Sequence, residues 1–525
     1  MFKKSLIFLL LLINLSAFSQ NSSYSLLDTK ELKNNIRLNY TLVHMPDGER
    51  EEIYGPGNPI ANTLGFVGLN YNIPINSWLY AGAGMHFAVT GDQGGLFTLG
   101  ANLGVNRQLY KNLYFDANIH FGGGGGYRVL VNGGGILYSN IGMQYKADDY
   151  SIGIHYGNVD FFTGFIKNDN ISFSIEIPTV LRSASYENAQ REYTIDGTSK
   201  ELFWKKPAVK SVQQVTFDFL FPVGDSRTDS FQGNRPITNT LSLLGFEYQR
   251  YLTNNTFIYT HLDAMYQGLI AGYMDLFVGI GKNFLETKYV NLFGKFGIGG
   301  AGGRIFQEGG LTMYPNAGAD IKITEKVGIS IHGGYHRAIG GTFEAYTAGF
   351  SLKYYGLSGG ITHPFTGEKA TTIKTQGIQL SLQNQTYFDV AKFGIPASNL
   401  QLIALKINYD INQRFYIAAE GSFAHKGKSG GYAHGLFGLG IKSNLFLKDR
   451  FSLFAEANAG VAGGGRVDSG EGVLVRPTTG LNYHFKNDFA AHISIGQMIS
   501  PFGNVNSTNF NIGLTYAVSI LNSKD

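Results

Sequence analysis

The sequence predicts an all-β chain: an antiparallel transmembrane β-barrel assembly built from three tandem eight-strand units, about 24 strands in all. Three observations carry that prediction. First, three strands end in the same glycine-rich way, at Gly122–Gly126 with Tyr127-Arg128, at Gly299–Arg304 and at Ala462–Arg466. Second, each run is followed by a matched segment: Tyr138–Gly142, Tyr314–Gly318 and Arg476–Gly480. The repeat is therefore of domain size rather than a short solenoid unit. Third, segment after segment alternates apolar and polar residues with a period of two, the mark of strands with one apolar face.

The first unit shows this element by element. Ile36, Leu38, Tyr40 and Leu42 oppose Arg37, Asn39 and Thr41, predicting a strand over 34–44. Strands follow near 60–73, 78–90, 96–109, 113–122, 136–147, 150–159 and 170–180. In the second unit they fall near 211–222, 238–252, 256–266, 273–285, 290–300, 311–323, 327–337 and 344–355. The third unit gives 376–387, 400–411, 414–425, 432–447, 450–462, 473–485, 488–499 and 508–519. Lengths near ten residues match the ~9–11 that a tilted strand needs to cross a bilayer. Short turns such as Tyr110–Asn112 alternate with long loops such as Gly122–Gly135, as in outer-membrane barrels, whose short turns face the periplasm. An even strand number puts both termini on that side.

Composition agrees. Charged residues make up 15% of the chain, against a typical ~25%, and there are 70 glycines in 525 residues. Lipid covers the Leu/Ile/Phe face, while the other face is Gly, Asn, Ser and His, residues suited to a crowded hydrogen-bonded interior. The chain has no cysteine, which removes disulfide frameworks, thiolate metal sites and a lipoprotein anchor. A net charge of +4 implies no nucleic-acid partner. Residues 1–19 have the parts of a secretory signal: Lys3 and Lys4, an apolar Leu6–Leu15 core, and small Ala17 and Ser19 before the cut. The expected organisation is then a first barrel repeat over 20–181, a periplasmic connector over 182–210, a second repeat over 211–356, a connector over 357–374 and a third repeat over 375–525.

Eight strands enclose a space that side chains just fill, whereas many more leave a lumen. Inward glycines (Gly82, Gly84, Gly100, Gly104) suit tight curvature and favour three small barrels. The connectors leave a single ring of 24 strands open.

The repeat resembles the eight-stranded outer-membrane barrels of the OmpA/OmpX type, over nearly all of the mature chain, in architecture. The run Ala462–Arg466 with Arg476-Pro-Thr-Thr-Gly480 is similar in style to small TraO-like conjugation proteins. Triplication departs from both, so neither family's function is carried over.

Few residues suggest chemistry. His155 and His332 share a place in strand seven of repeats one and two, where repeat three has Ser494. A lipid hydrolase would need such a histidine turned outward beside a nucleophile, but these lie on the interior face. His261 and Asp263 are two apart on one strand face, and a metal would need three or four converging ligands. No such cluster is visible, so His155, His332, His261 and Asp263 are read as interior polar residues, with no catalytic residue, metal or cofactor. No helix follows the glycine runs, which excludes a phosphate loop at them and reads the runs as turns of outer loops. Arg128, Arg304 and Arg466 are candidates for contact with lipopolysaccharide phosphates or a partner. The sequence thus points to a non-enzymatic integral protein of a Gram-negative outer membrane, structural or partner-binding through its outer loops and connectors. The alternatives are a passive channel formed by one 24-stranded ring and, third, a lipid-modifying enzyme.

Overall fold

The structure is a computed structural model that describes residues 29–45, 61–126, 131–195, 209–228, 233–270, 272–305, 309–358, 371–485 and 488–523. The signal segment and Arg128 lie outside these residues.

Among the described residues there are twenty-five strands, of which twenty-four form three closed antiparallel barrels of eight. The first contains β1 (Thr29–His44), β2 (Thr63–Pro74), β3 (Leu79–Thr90), β4 (Phe97–Tyr110), β5 (Leu113–Gly125), β6 (Ile136–Lys146), β7 (Ser151–Phe161) and β8 (Lys167–Ser185). It closes because β8 returns to β1, with Ile36 opposite Ile177 and Leu42 opposite Ile171. A 3-10 turn over Tyr186–Asn188 and a short strand β9 (Glu192–Ile195) follow. The second barrel contains β10 (Val209–Val223), β11 (Leu241–Tyr251), β12 (Thr256–Gln267), β13 (Met274–Glu286), β14 (Val290–Gly302), β15 (Leu311–Lys322), β16 (Val327–Ala338) and β17 (Glu344–Ser358). Pairing of β10 with β17 closes it. The third contains β18 (Thr371–Val390), β19 (Ser398–Asp410), β20 (Phe415–Lys426), β21 (Ala433–Lys442), β22 (Phe451–Gly463), β23 (Val473–His484), β24 (Phe489–Ile499) and β25 (Asn506–Ser523). It closes between β18 and β25. The single ring that the connectors left open is not formed.

Closure at eight strands depends on the inward glycines. Gly104, Gly281 and Gly440 occupy the same place on the fourth strand of each barrel. Each lies beside an aromatic ring of the preceding strand, Tyr80, Phe257 and Tyr416, in space a methyl group would fill. Ring against glycine at one level of all three barrels lets strongly curved walls approach without a void.

The outer walls are apolar and exposed: Ile154 in β7 is 53% exposed, Ile331 in β16 56% and Leu514 in β25 62%. In water such a surface would be far larger than the apolar patches soluble monomers carry. In a bilayer it is the required one.

Three elements depart from the sequence reading. Two glycine runs are strand rather than turn, since Gly122–Gly125 extend β5 and Gly299–Gly302 extend β14, while Gly464, Gly465 and Arg466 do turn, at positive φ, after β22. Within the segment read as the first connector, Glu192–Lys374 and Ile195–Thr371 pair β9 with β18. β21 stops at Lys442, short of the expected 447, and the chain then turns through Leu447, Lys448 and Asp449 at positive φ, where no strand continues.

Candidate functional site

Two regions concentrate polar chemistry and close packing: the barrel interiors and the surface where the barrels meet.

Each interior has an apolar end and an ionic middle. At the long-loop end of the first barrel, Leu64, Phe66, Leu96, Ile136 and Phe161 form a buried plug. Leu400, Leu402, Tyr432 and Leu474 fill the third barrel, and Leu241, Leu243, Met265 and Phe343 the second. Below the first plug, the Arg37 guanidinium lies between two carboxylates, donating to Glu176 and reaching Asp116 at 3.0 Å. His155 Nε2 is 3.0 Å from Asp116 Oδ2, and the Tyr80 hydroxyl donates to Asp116 at 3.1 Å. In the third barrel, Arg476 pairs with Glu420 through two bonds of 2.8 Å and with the Tyr387 hydroxyl at 2.8 Å. Lys406 pairs with Glu456. In the second, Lys295 meets Glu247 at 2.6 Å and Lys353 meets Asp320 at 2.7 Å. Buried charges are tolerable when paired this closely and hydrogen-bonded. In the first barrel the space left beside Arg37, Asn102 and His155 is a cavity of about 20 Å³, room for roughly one water.

The interior also receives the singled-out histidines. His332 Nε2 lies 2.7 Å from Asp218 Oδ1, and His261 Nδ1 lies 2.9 Å from Glu247 Oε2. His261, Asp263 and Asp218 come together with ligand atoms inside 4.8 Å of one another. Among the described residues, these three are the group that could hold a metal ion. The sequence reading missed this cluster because Asp218 comes from β10, 45 residues before Asp263. Its alternation with Thr216 and Leu220 on the inward face was the available signal. Ser494 is also buried, accepting from Asn511 at 2.9 Å rather than facing a histidine.

The three barrels meet through the glycine runs. Strand five of each packs on strand three of the next: β14 on β3, β5 on β20 and β22 on β12. This is a head-to-tail contact that closes into a three-membered ring, here within one chain. A methyl group at Gly123 would lie 2.5 Å from the Ala424 carbonyl oxygen and 2.6 Å from that of Phe423. Across the same junction the Gly431 N–H donates to the Gly124 carbonyl at 3.1 Å, and the Gly430 N–H to that of Asn132 at 2.7 Å. The absence of Cβ atoms allows backbone to lie on backbone. At the centre, Phe87, Phe97 and Leu99 of the first barrel pack with Leu276 of the second and Phe423 of the third. These are outward-facing positions that are buried only here. Arg304 and Arg466 sit half-buried at positive φ beside these runs, with Arg304 against Gly272, itself next to Gly464 of the third barrel.

At the opposite rim, the segment after β8 seals the third barrel. The Tyr186 hydroxyl donates to Asp410 at 2.6 Å and accepts from Lys442 at 2.6 Å. Its backbone N–H donates to Asp488 at 2.9 Å. Burial, with the Asp410 carboxylate beside it, holds the Tyr186 phenol well above its ordinary range.

Closed eight-stranded antiparallel barrels with apolar outer walls and ionic interiors define the class: this is an outer-membrane β-barrel protein, with three barrels in one chain. No protein-family model matches the sequence, and no curated protein matches it. Among solved structures, it is similar to OpdQ of Pseudomonas aeruginosa, at 8% identity and a TM-score of 0.19 over 94% of this chain and 98% of that one. It is also similar to the siderophore receptor PirA of Acinetobacter baumannii, at 10% identity and a TM-score of 0.26 over 94% and 81%. The ferric enterobactin receptor PfeA of Pseudomonas aeruginosa gives 8% identity and a TM-score of 0.27 over 94% and 82%. Likeness at this level carries no argument about barrel size or activity.

Proposed function

We propose that this chain is a non-enzymatic structural component of the outer membrane, a three-barrel platform that binds partners at its two rims. The observation that supports this reading is the filling of all three interiors by apolar plugs and ion-paired networks. In the proposal the chain is exported by its signal segment, with both termini and the connectors in the periplasm and the long loops outside. The outer rim, including Arg128, Arg304 and Arg466, would meet lipopolysaccharide or envelope proteins. No nucleophile stands beside an outward histidine among the described residues, so lipid hydrolysis has no support here.

The second reading is passage of a solute. Two of the similar structures are named as a siderophore receptor and a ferric enterobactin receptor. Passage would require the plugs to move, because the ring that gave a wide lumen is replaced by three filled barrels. Conductance of the purified protein in a planar bilayer separates the two. The platform reading predicts no stable unitary current, and a stable current would overturn it in favour of passage.

A further inference from the structure

The second barrel differs from its neighbours in the charge it buries. In the first barrel Arg37 stands between Asp116 and Glu176, and in the third Arg476 and Lys406 match Glu420 and Glu456. In the second, Lys295 and Lys353 match Glu247 and Asp320. That leaves Asp218, Asp263 and Asp275 buried with no lysine or arginine beside them among the described residues. Histidines stand beside all three, His332 at Asp218, His261 at Asp263 and His336 at Asp275, and buried carboxylates without a permanent cation are costly.

Asp218, Asp263 and His261 are each held by one atom and offer another. The Asp218 Oδ1 is tied to His332 Nε2 at 2.7 Å. The Asp263 Oδ1 accepts from the Thr216 hydroxyl at 2.9 Å. His261 Nδ1 is tied to Glu247 at 2.9 Å. Their other atoms turn toward one point. His261 Nε2 lies 3.0 Å from Asp263 Oδ2 and 4.0 Å from Asp218 Oδ2. Asp218 Oδ2 is buried without a hydrogen-bond partner and is turned toward His261. Tetrahedral ligation with bonds of about 2.0–2.1 Å needs ligand atoms about 3.3 Å apart, so the closer pair opens by about 0.3 Å and the 4.0 Å pair closes by about 0.7 Å. Glycines make the room: a methyl at Gly349 would lie 2.5 Å from both Asp218 Oδ1 and His332 Nε2, and one at Gly245 would strike the Asp263 carboxylate.

We propose that the interior of the second barrel binds one divalent cation of the zinc type through His261 Nε2, Asp218 Oδ2 and Asp263 Oδ2, with Glu247, His332 and Thr216 orienting these ligands. One imidazole and two carboxylates suit zinc or cobalt better than calcium, which takes six to eight oxygens. Outer partners that fix ligand orientation are a regular part of such sites. The ion would supply the charge that lysine and arginine supply in the other two barrels.

The test uses the full mature chain, folded from urea into detergent micelles with one equivalent of Zn²⁺ or Co²⁺ and passed through gel filtration. The expected result is about one metal per chain and, for cobalt, the intense visible absorption of a four- or five-coordinate ion. His261→Gln and Asp218→Asn are expected to lower retention at least tenfold, whereas His155→Gln, at the first-barrel position that matches His332, leaves it unchanged. If a variant does not fold, X-ray absorption of the zinc-loaded wild type decides: one imidazole with oxygen ligands supports the site. Folded wild type that retains no metal overturns the proposal. So does retention that the His261 and Asp218 variants share, or a spectrum of hexa-aqua cobalt only.

Discussion

Replacing Gly302 with alanine is expected to loosen the second barrel from the first without unfolding either. A methyl group there would lie 2.6 Å from Gly95 Cα and 2.7 Å from the Gly94 carbonyl carbon, both backbone atoms of the neighbouring barrel. Neither can rotate away as a side chain could. Overpacking of this kind costs about 1–3 kcal/mol, which converts to a roughly 5- to 150-fold change in an association constant. Gly302 also has a φ of 151°, so local strain must be separated from lost contact. Gly340 provides the control: its φ is 85°, and nothing lies within 4 Å of where its Cβ would be. Protease sites placed between β9 and β10 and between β17 and β18 free the second barrel covalently. The fraction leaving the particle is then read by gel filtration in mild detergent. Gly302→Ala is expected to raise that fraction, while Gly340→Ala is not. Equal release by wild type and Gly302→Ala would refute glycine-mediated backbone packing as what joins the barrels.

Other outcomes follow from the same contacts. Arg476→Met strands the Glu420 charge in the third barrel and is expected to cost about 3–5 kcal/mol in urea unfolding. The double change with Glu420→Met recovers most of it. Ile154→Arg, on the lipid face of β7, is expected to destabilise the chain by about 2–4 kcal/mol near the bilayer midplane, measured by reversible folding into vesicles. Tyr186→Phe removes the hydroxyl shared by Asp410 and Lys442. It is expected to speed proteolysis between β8 and β10 while leaving unfolding of the second barrel unchanged.

The strands were legible because alternation is a local signal that the bilayer and the interior both enforce. Ile152, Ile154 and Tyr156 face out and His155 faces in, as the period of two requires. Closure was not legible, since the pairing of Ile36 with Ile177 joins residues 141 positions apart and nothing in either strand names its partner. The inward glycines hinted at it through curvature. Two glycine runs were misread for a related reason: seen alone, Gly122–Gly126 resembles a turn. Only the neighbouring barrel shows that the missing side chains make space for another backbone. The cluster around His261 was half legible. His261 and Asp263 share a face by spacing, but the third member of the cluster, Asp218, comes from β10.

The account rests on each set of eight strands closing on itself, and the absence of cysteine makes this directly measurable. Cysteine pairs at Ile36 with Ile177, Phe217 with Phe350 and Leu382 with Leu514 span the three seams, each pair directly opposed across neighbouring strands. Oxidation in membranes is predicted to link all three pairs, since opposed strand positions fall within disulfide reach. Failure of the seams, with Ile177→Cys linking instead to a cysteine at Phe217 of β10, would contradict three closed barrels and restore one continuous ring.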